Sequence, residues 1–243
     1  MNRKIKKKPY QQLTNQGKLR RLRDYSALGL SQYDITKPIL AYHGFETNLH
    51  YRVTSFAGEK FMLRLAYPGW RTLSDLQSEA AWLTALHQDT DIPVPTIIPT
   101  QSGEQVLSFN TPDVPDVWHM TLMRWIPGRL LGYYLTPNNL EKMGVLFSEL
   151  HHQAVHWAPP RNFTERRFEH WLSRGEENKI SKIIYDKAGN FLLAFNINLT
   201  PPQWELLIRM DNHVENAYEA VDRSDFRVIH CDLWHDNIKL YRG

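Results

Sequence analysis

Apolar and polar positions alternate along residues 38–66, and the alternation predicts strands. Ile39 to Tyr42 is a short apolar run, Tyr51 to Phe56 alternates, and Lys60 to Ala66 alternates again. The polar segment His43-Gly44-Phe45-Glu46-Thr47-Asn48 and the turn Ala57-Gly58-Glu59 separate these runs, so the region reads as a β-meander. In the third strand, Phe61, Leu63 and Leu65 share one face, while Lys60, Met62 and Arg64 share the other. The period then lengthens. Leu73, Leu76, Ala80, Leu83 and Leu86 recur at helical spacing and predict a helix over 72–88, capped by Thr72 or Ser74.

A stiff connector, Asp91-Ile92-Pro93-Val94-Pro95, follows. Thr96 to Ile98 and Gln105 to Phe109 read as short strands, and Val117 to Ile126 as a long one stopped by Pro127-Gly128. From there the pattern is mostly helical. Thr136-Pro137 is a cap followed by proline at the first helical position. Leu140, Met143, Phe147 and Leu150 form that helix's apolar face, and His151-His152 is expected to end it. Phe163 to Leu172 and Ile180 to Phe195 read as helical, and Thr200-Pro201-Pro202 opens a helix to about Asp222. Its inner side is read as Trp204, Leu207, Ile208, Val214, Ala217 and Val221. Upstream, residues 10–30 carry Leu13, Leu19, Leu22, Leu28 and Leu30 among Lys and Arg, the pattern of one or two short amphipathic helices.

Composition changes this picture little. The chain has 243 residues, suited to one large domain or two lobes, and a formal charge of +3, too small to demand a polyanionic partner. The basic run at residues 1–9 reads as a solvated terminus rather than a nucleic-acid arm. A single cysteine, Cys231, excludes an internal disulfide. No apolar run approaches the roughly 20 residues of a membrane span, and no signal core follows the basic start, so a soluble cytoplasmic protein is expected.

The chemistry concentrates near the end of the chain. Two apolar runs, Val228-Ile229 and Ile238 to Tyr241, read as strands that bracket a polar loop. Inside it stands His230-Cys231-Asp232-Leu233-Trp234-His235-Asp236-Asn237, an H-x-D-L-x-x-x-N arrangement. In phosphoryl transfer, such an Asp orients the proton of an attacking hydroxyl, and the Asn holds Mg2+ on the nucleotide phosphates.

This loop resembles the catalytic loop of the aminoglycoside phosphotransferase and choline kinase family, small-molecule kinases of the protein-kinase fold. The upstream order fits: β-meander, strand cation, helix glutamate, further strands, hinge, helices, then the loop. The resemblance covers roughly residues 25–243. It implies an α+β, two-lobed protein kinase-like fold, with an N-terminal antiparallel sheet plus helix and a mostly helical C-terminal lobe. The corresponding divisions are a basic N-terminal extension over 1–24, a nucleotide-binding lobe over 25–126 and a helical lobe over 127–243.

The same resemblance implies an ATP-dependent phosphotransferase acting on a hydroxyl of a small molecule, with ATP and Mg2+ as cofactors. Asp232 would be the catalytic base, His230 would brace the loop, and Asn237 would be the metal ligand. Arg64, in Leu-Arg-Leu, would take the place of the usual strand lysine and hold phosphates. Glu79 would position it, with Asp75 the rival partner. Met123 to Ile126 would form the hinge, where backbone groups of Met123, Trp125 and Ile126 meet the base. The segment ending at Asn48 would cover the nucleotide, although locally it reads equally well as a plain hairpin turn.

After Asn237 only six residues remain and none is acidic, whereas the resemblance calls for a second metal-binding Asp and further helices. The expectation is therefore an incomplete C-terminal lobe and a strand Ile238 to Tyr241 without a partner. Poor Mg2+·ATP binding and little turnover by this chain are expected with it. A catalytically inactive kinase-like chain that binds only nucleotide or a partner is the alternative. The acceptor is not legible from the sequence.

Overall fold

A computed structural model describes residues 7–45, 48–69, 71–164, 200–222, 224 and 226–241. The chain divides into two compact units, one of residues 1–164 with 229–243 and the other of residues 165–228. The expected helices Phe163 to Leu172 and Ile180 to Phe195 lie outside the described residues, except that Phe163 and Thr164 are irregular.

The first unit is built on a five-stranded antiparallel sheet. Its strands are β1 (Ile39–Phe45), β2 (Asn48–Thr54), β3 (Lys60–Ala66), β4 (Ile97–Ile98) and β5 (Met120–Arg124), in the order β1-β2-β3-β5-β4. The alternation seen in the sequence becomes two covered faces. On one, Leu49, Tyr51 and Val53 of β2 align with Phe61, Leu63 and Leu65 of β3 and with Met120 and Leu122 of β5. Leu22, Tyr25 and Leu30 of helix α1 (Asn15–Leu30) close over them. The Tyr25 hydroxyl donates to the Phe109 carbonyl at 2.7 Å, and its ring stacks on Phe109 at 4.2 Å. Residues 7–9 are also tied down rather than purely solvated: Lys7 pairs with Asp113, and Arg21 donates to the Lys8 carbonyl.

The other face meets helix α2 (Leu73–Asp89). Met62 and Met123 pack with Ala80, Leu83 and Ile97. Thr72 caps α2, and Asp75 completes a capping box by accepting from the Thr72 N–H at 2.9 Å. That contact gives Asp75 a structural role as a cap, and it is Glu79 that turns to Arg64.

Helix α3 (Pro137–His156) is longer than expected. His151 and His152 lie inside it and do not end it, because no helix breaker follows until the chain extends at Trp157. Its expected apolar face is only partly covered: Leu150 is buried while Leu140 is exposed. It docks on α2 through a polar relay, in which Trp82 Nε1 donates to Gln153 Oε1 at 3.0 Å and Gln153 Nε2 donates to Asp89 at 3.1 Å.

Two further strands, β6 (Arg129–Leu130) and β7 (Lys239–Leu240), form a separate ribbon. The strand at the chain end thus has a partner, contrary to expectation, because the chain leaving Pro127-Gly128 turns alongside it. Val228-Ile229, expected as a strand, is irregular.

In the second unit, α4 (Pro201–Glu219) begins where Thr200-Pro201-Pro202 indicates, and the Thr200 N–H donates to Gln203 Oε1 at 2.7 Å. Among the described side chains of α4, Ile208, expected on an inner face, is exposed, as are Leu206 and Met210. The N-terminal antiparallel sheet with flanking helices, followed by a mostly helical region, is a two-lobed kinase-like fold.

Candidate active site

Arg64 and Glu79 form the best-defined ion pair of the first unit. Arg64 Nη1 and Nη2 donate to Glu79 Oε1 and Oε2, each at 2.8 Å, a fork-to-fork contact. Strand and helix geometry impose it. Arg64 occupies a position on β3 that faces α2, and Glu79 lies one residue before Ala80, which packs on the same sheet face. Burial pushes the Glu79 carboxyl up, but the charge and hydrogen bonds of Arg64, joined by Arg71 and His230, outweigh it and hold the carboxyl below its ordinary range. Arg64 Nε is buried and has no partner among the described residues, and neither has the Oγ1 of Thr121, directly opposite on β5. Beyond the two Glu79 contacts, Arg64 Nη1 and Nη2 each keep one further N–H, while Nε is shielded from solvent.

His50 lies opposite Arg64 on the other side, in β2. Burial, then the charges of Arg64 and His43, push its imidazole down to about 4. The folded state therefore keeps His50 neutral where the unfolded chain, with an ordinary histidine, binds a proton. Stability from this group is complete above about pH 6.5 and is lost as pH falls toward 4. Replacing His50 by Gln should flatten the dependence of the unfolding free energy on pH between 4 and 6.5, by on the order of 2 kcal/mol. Urea titrations at several pH values would measure it, and an unchanged slope would contradict the assignment.

The catalytic-loop candidates lie in the same unit. The Asn237 amide NH2 donates to the Asp232 carbonyl at 2.8 Å and to the Asp232 carboxylate at 3.2 Å. The five-residue spacing thus folds the loop back on itself. The Asp232 N–H donates to His230 Nδ1 at 3.4 Å, a long contact. Cys231, between them, has φ 61, the left-handed turn that reverses the loop. Burial pushes the His230 imidazole down, against the opposing pull of the Asp232 and Glu79 charges. His230 and Glu79 feel each other's charge, which couples the loop electrostatically to the Arg64–Glu79 pair.

His235 and Asp236 acquire a role that the sequence left open. His235 Nδ1 lies 2.9 Å from Asp236 Oδ1, and both side chains rest on Gly132, in the short turn Leu131–Tyr133 after β6. A Cβ at Gly132 would lie 2.3 Å from Asp236 Oδ1 and 2.6 Å from His235 Nδ1. Gly132→Val should push the His235 and Asp236 side chains off this turn and loosen it, at a cost of at most about 1 kcal/mol. Hydrogen exchange would read it as lost protection of the Asn237 N–H, which donates to the Trp234 carbonyl at 2.8 Å. Retained protection would show that the loop does not depend on the missing Cβ.

The hinge residues divide. Met123 is the buried end of β5, whereas Trp125 and Ile126 lie beyond it, half-buried. The His43 ring meets the Trp125 ring edge-on at 5.4 Å. Lys239 of β7 reaches the same place: its Nζ is 4.5 Å from the Trp125 ring centroid and donates to the Ile126 carbonyl at 2.8 Å. The covering segment is shorter than expected. His43 to Phe45 belongs to β1 and Asn48 begins β2, because their backbones pair: Gly44 with His50 and Phe45 with Leu49. Asn48 lies opposite Ala66 at the far end of β3 from Lys60.

Arg71 and Lys239 escaped the sequence reading. Arg71, next to the α2 cap, carries no local motif. Lys239 was visible only as a charge within the apolar run Ile238 to Tyr241.

The donor chemistry suits the implied Mg2+ in part. Asp232 offers a carboxylate. Asn237, with its NH2 turned inward, keeps an amide oxygen with no partner among the described residues. Mg2+ favours such hard oxygen ligands and commonly completes its shell with phosphate and water.

The fold is kinase-like, and the comparisons place the chain in a family. A family model described as the phosphotransferase enzyme family matches residues 40–240, and the chain belongs to that family. Among solved structures, a microcompartment-associated aminopropanol kinase is 22% identical with a TM-score of 0.54, covering 71% of this chain and 56% of its own. The amicoumacin kinase hAmiN in complex with AMP-PNP, Ca2+ and Ami is 16% identical with a TM-score of 0.68, covering 94% of this chain and 64% of its own. The chain thus spans less than two thirds of the length of either, and the likeness bears on the fold. The comparison with curated proteins gave no match. No helix among the described residues is long and apolar enough to cross a membrane.

Proposed function

We propose that the protein is an ATP- and Mg2+-dependent phosphotransferase that phosphorylates a hydroxyl of a small molecule. The observation that carries this reading is the bidentate Arg64–Glu79 pair in the same compact unit as the self-closed Asp232–Asn237 loop. A held cation and a placed carboxylate are what in-line phosphoryl transfer asks of a protein, since catalysis there is mostly positioning and charge neutralisation.

In this reading residues 25–126 bind the nucleotide, and residues 127–243 carry the catalytic loop. Arg64 contacts the phosphates through the Nη protons that Glu79 leaves free, and Glu79 fixes its orientation. Backbone groups of Met123, Trp125 and Ile126 meet the base, with Asn48 near the phosphate-covering turn. Asp232 accepts the proton of the acceptor hydroxyl, and His230 keeps the loop in shape as a neutral imidazole. Asn237 would hold Mg2+, which neutralises charge on the phosphates when bound.

Incubation with Mg2+, γ-labelled ATP and a panel of amino alcohols, amino sugars and sugars tests this. Transfer of label to at least one acceptor is expected. The second reading is nucleotide binding without turnover. It predicts nucleotide binding with no labelled product from any acceptor.

A further inference from the structure

We propose that Lys239 sets the base preference of the nucleotide site, favouring purines with a 6-oxo group, guanine and hypoxanthine, over adenine. This rests on the reading of Trp125 and Ile126 as the segment that meets the base, and it makes a 6-oxopurine nucleotide the preferred donor, with ATP the weaker one.

That segment offers few free backbone groups. The Arg124 N–H is taken by the Thr96 carbonyl at 2.8 Å, and the Trp125 N–H by the Lys60 carbonyl at 3.0 Å. The Ile126 N–H has no backbone partner among the described residues. The Ile126 carbonyl, the natural acceptor for an exocyclic amine, already accepts from Lys239 Nζ at 2.8 Å. The polar edge at Ile126 therefore presents two adjacent donors, a peptide N–H and an ammonium with further protons to give.

Adenine offers that edge a mismatch. Its N6 amine is itself a donor and faces a cation. Guanine and hypoxanthine carry O6 and N7, two neighbouring acceptors, and a cation donating to that pair is the commonest specific contact to guanine in nucleic-acid recognition. The alignment of Lys239 is not incidental. Register places it opposite Leu130 in the β6–β7 ribbon, and the Trp125 ring face holds its ammonium. Gly128, at φ 122, lets the ribbon close, since a Cβ there would lie 2.5 Å from the Leu240 carbonyl oxygen. His43 meets the same ring edge-on at 5.4 Å. Burial lowers the Lys239 ammonium, as expected for a cation drawn into this site.

The test is equilibrium titration of the wild-type chain, Lys239→Met and Lys239→Arg with the Mg2+ complexes of ATP, ITP and GTP. ITP isolates the 6-position, because it lacks the 2-amino group of GTP. The wild type should bind ITP and GTP about tenfold more tightly than ATP. Lys239→Met should bring the ratio to about one, while Lys239→Arg should keep it. Each variant serves as its own reference, so a general loss of affinity leaves the ratio readable. Equal affinities in the wild type, or a preference for ATP, would overturn the inference and leave the phosphotransferase reading standing. So would a GTP preference not shared by ITP, or one that survives Lys239→Met. Binding of none of the three by the folded wild type would overturn both.

Discussion

Asp232→Asn is expected to lower phosphotransfer about a thousandfold while leaving nucleotide affinity within about threefold, as befits loss of a general base. The substitution is nearly isosteric, and Asp232 is exposed, so the fold should hold. The loop is closed mainly by Asn237 donating to the Asp232 backbone carbonyl, a contact the substitution does not touch. Turnover measured at saturating nucleotide and acceptor reads the chemical step. Activity within tenfold of wild type would exclude Asp232 as the base.

The second large effect concerns the ion pair. Arg64→Met leaves the Glu79 carboxylate, 31% exposed, without its bidentate partner. Destabilisation of about 2–4 kcal/mol is expected, because removing one member of a pair strands the other charge. Nucleotide affinity should also fall about 30- to 100-fold with the loss of a charged hydrogen-bond donor. The double variant Arg64→Met, Glu79→Leu separates the two roles. It should regain most of the lost stability, since no charge is left unpaired, and none of the lost affinity. Recovery of nucleotide binding in the double variant would show that the pair is architectural only.

How much of this was legible in the sequence depended on how far each signal reaches along the chain. Strand β3 and helix α2 announced themselves through period 2 and period 3.6, and Arg64 and Glu79 fell on the faces those periods assign. The pairing itself was legible only because both elements were read correctly. Asp75, the rival, stayed open in the sequence, and only the structure removes it, by showing its capping box with Thr72. The ends of elements were less visible. His43 and Gly44 look like a turn in composition, yet backbone pairing with β2 extends the strand through them. Ribbon β6–β7 is two residues per strand and joins positions over a hundred apart, so no window of sequence contains it. Lys239 and Gly132 matter for the same reason. Their neighbours, Ile126 and the His235–Asp236 turn, are brought to them by that ribbon and not by proximity along the chain.

The claim on which the rest depends is that nucleotide binds where β1, β3, the segment after β5 and β7 converge. Photolabelling with 8-azidoadenosine triphosphate and Mg2+, followed by peptide mapping, tests it most directly. The account predicts label in peptides spanning His43, Trp125–Ile126 or Lys239, suppressed by excess unlabelled nucleotide and lost in Arg64→Met. Label confined to α4, or labelling that excess nucleotide does not suppress, would contradict it.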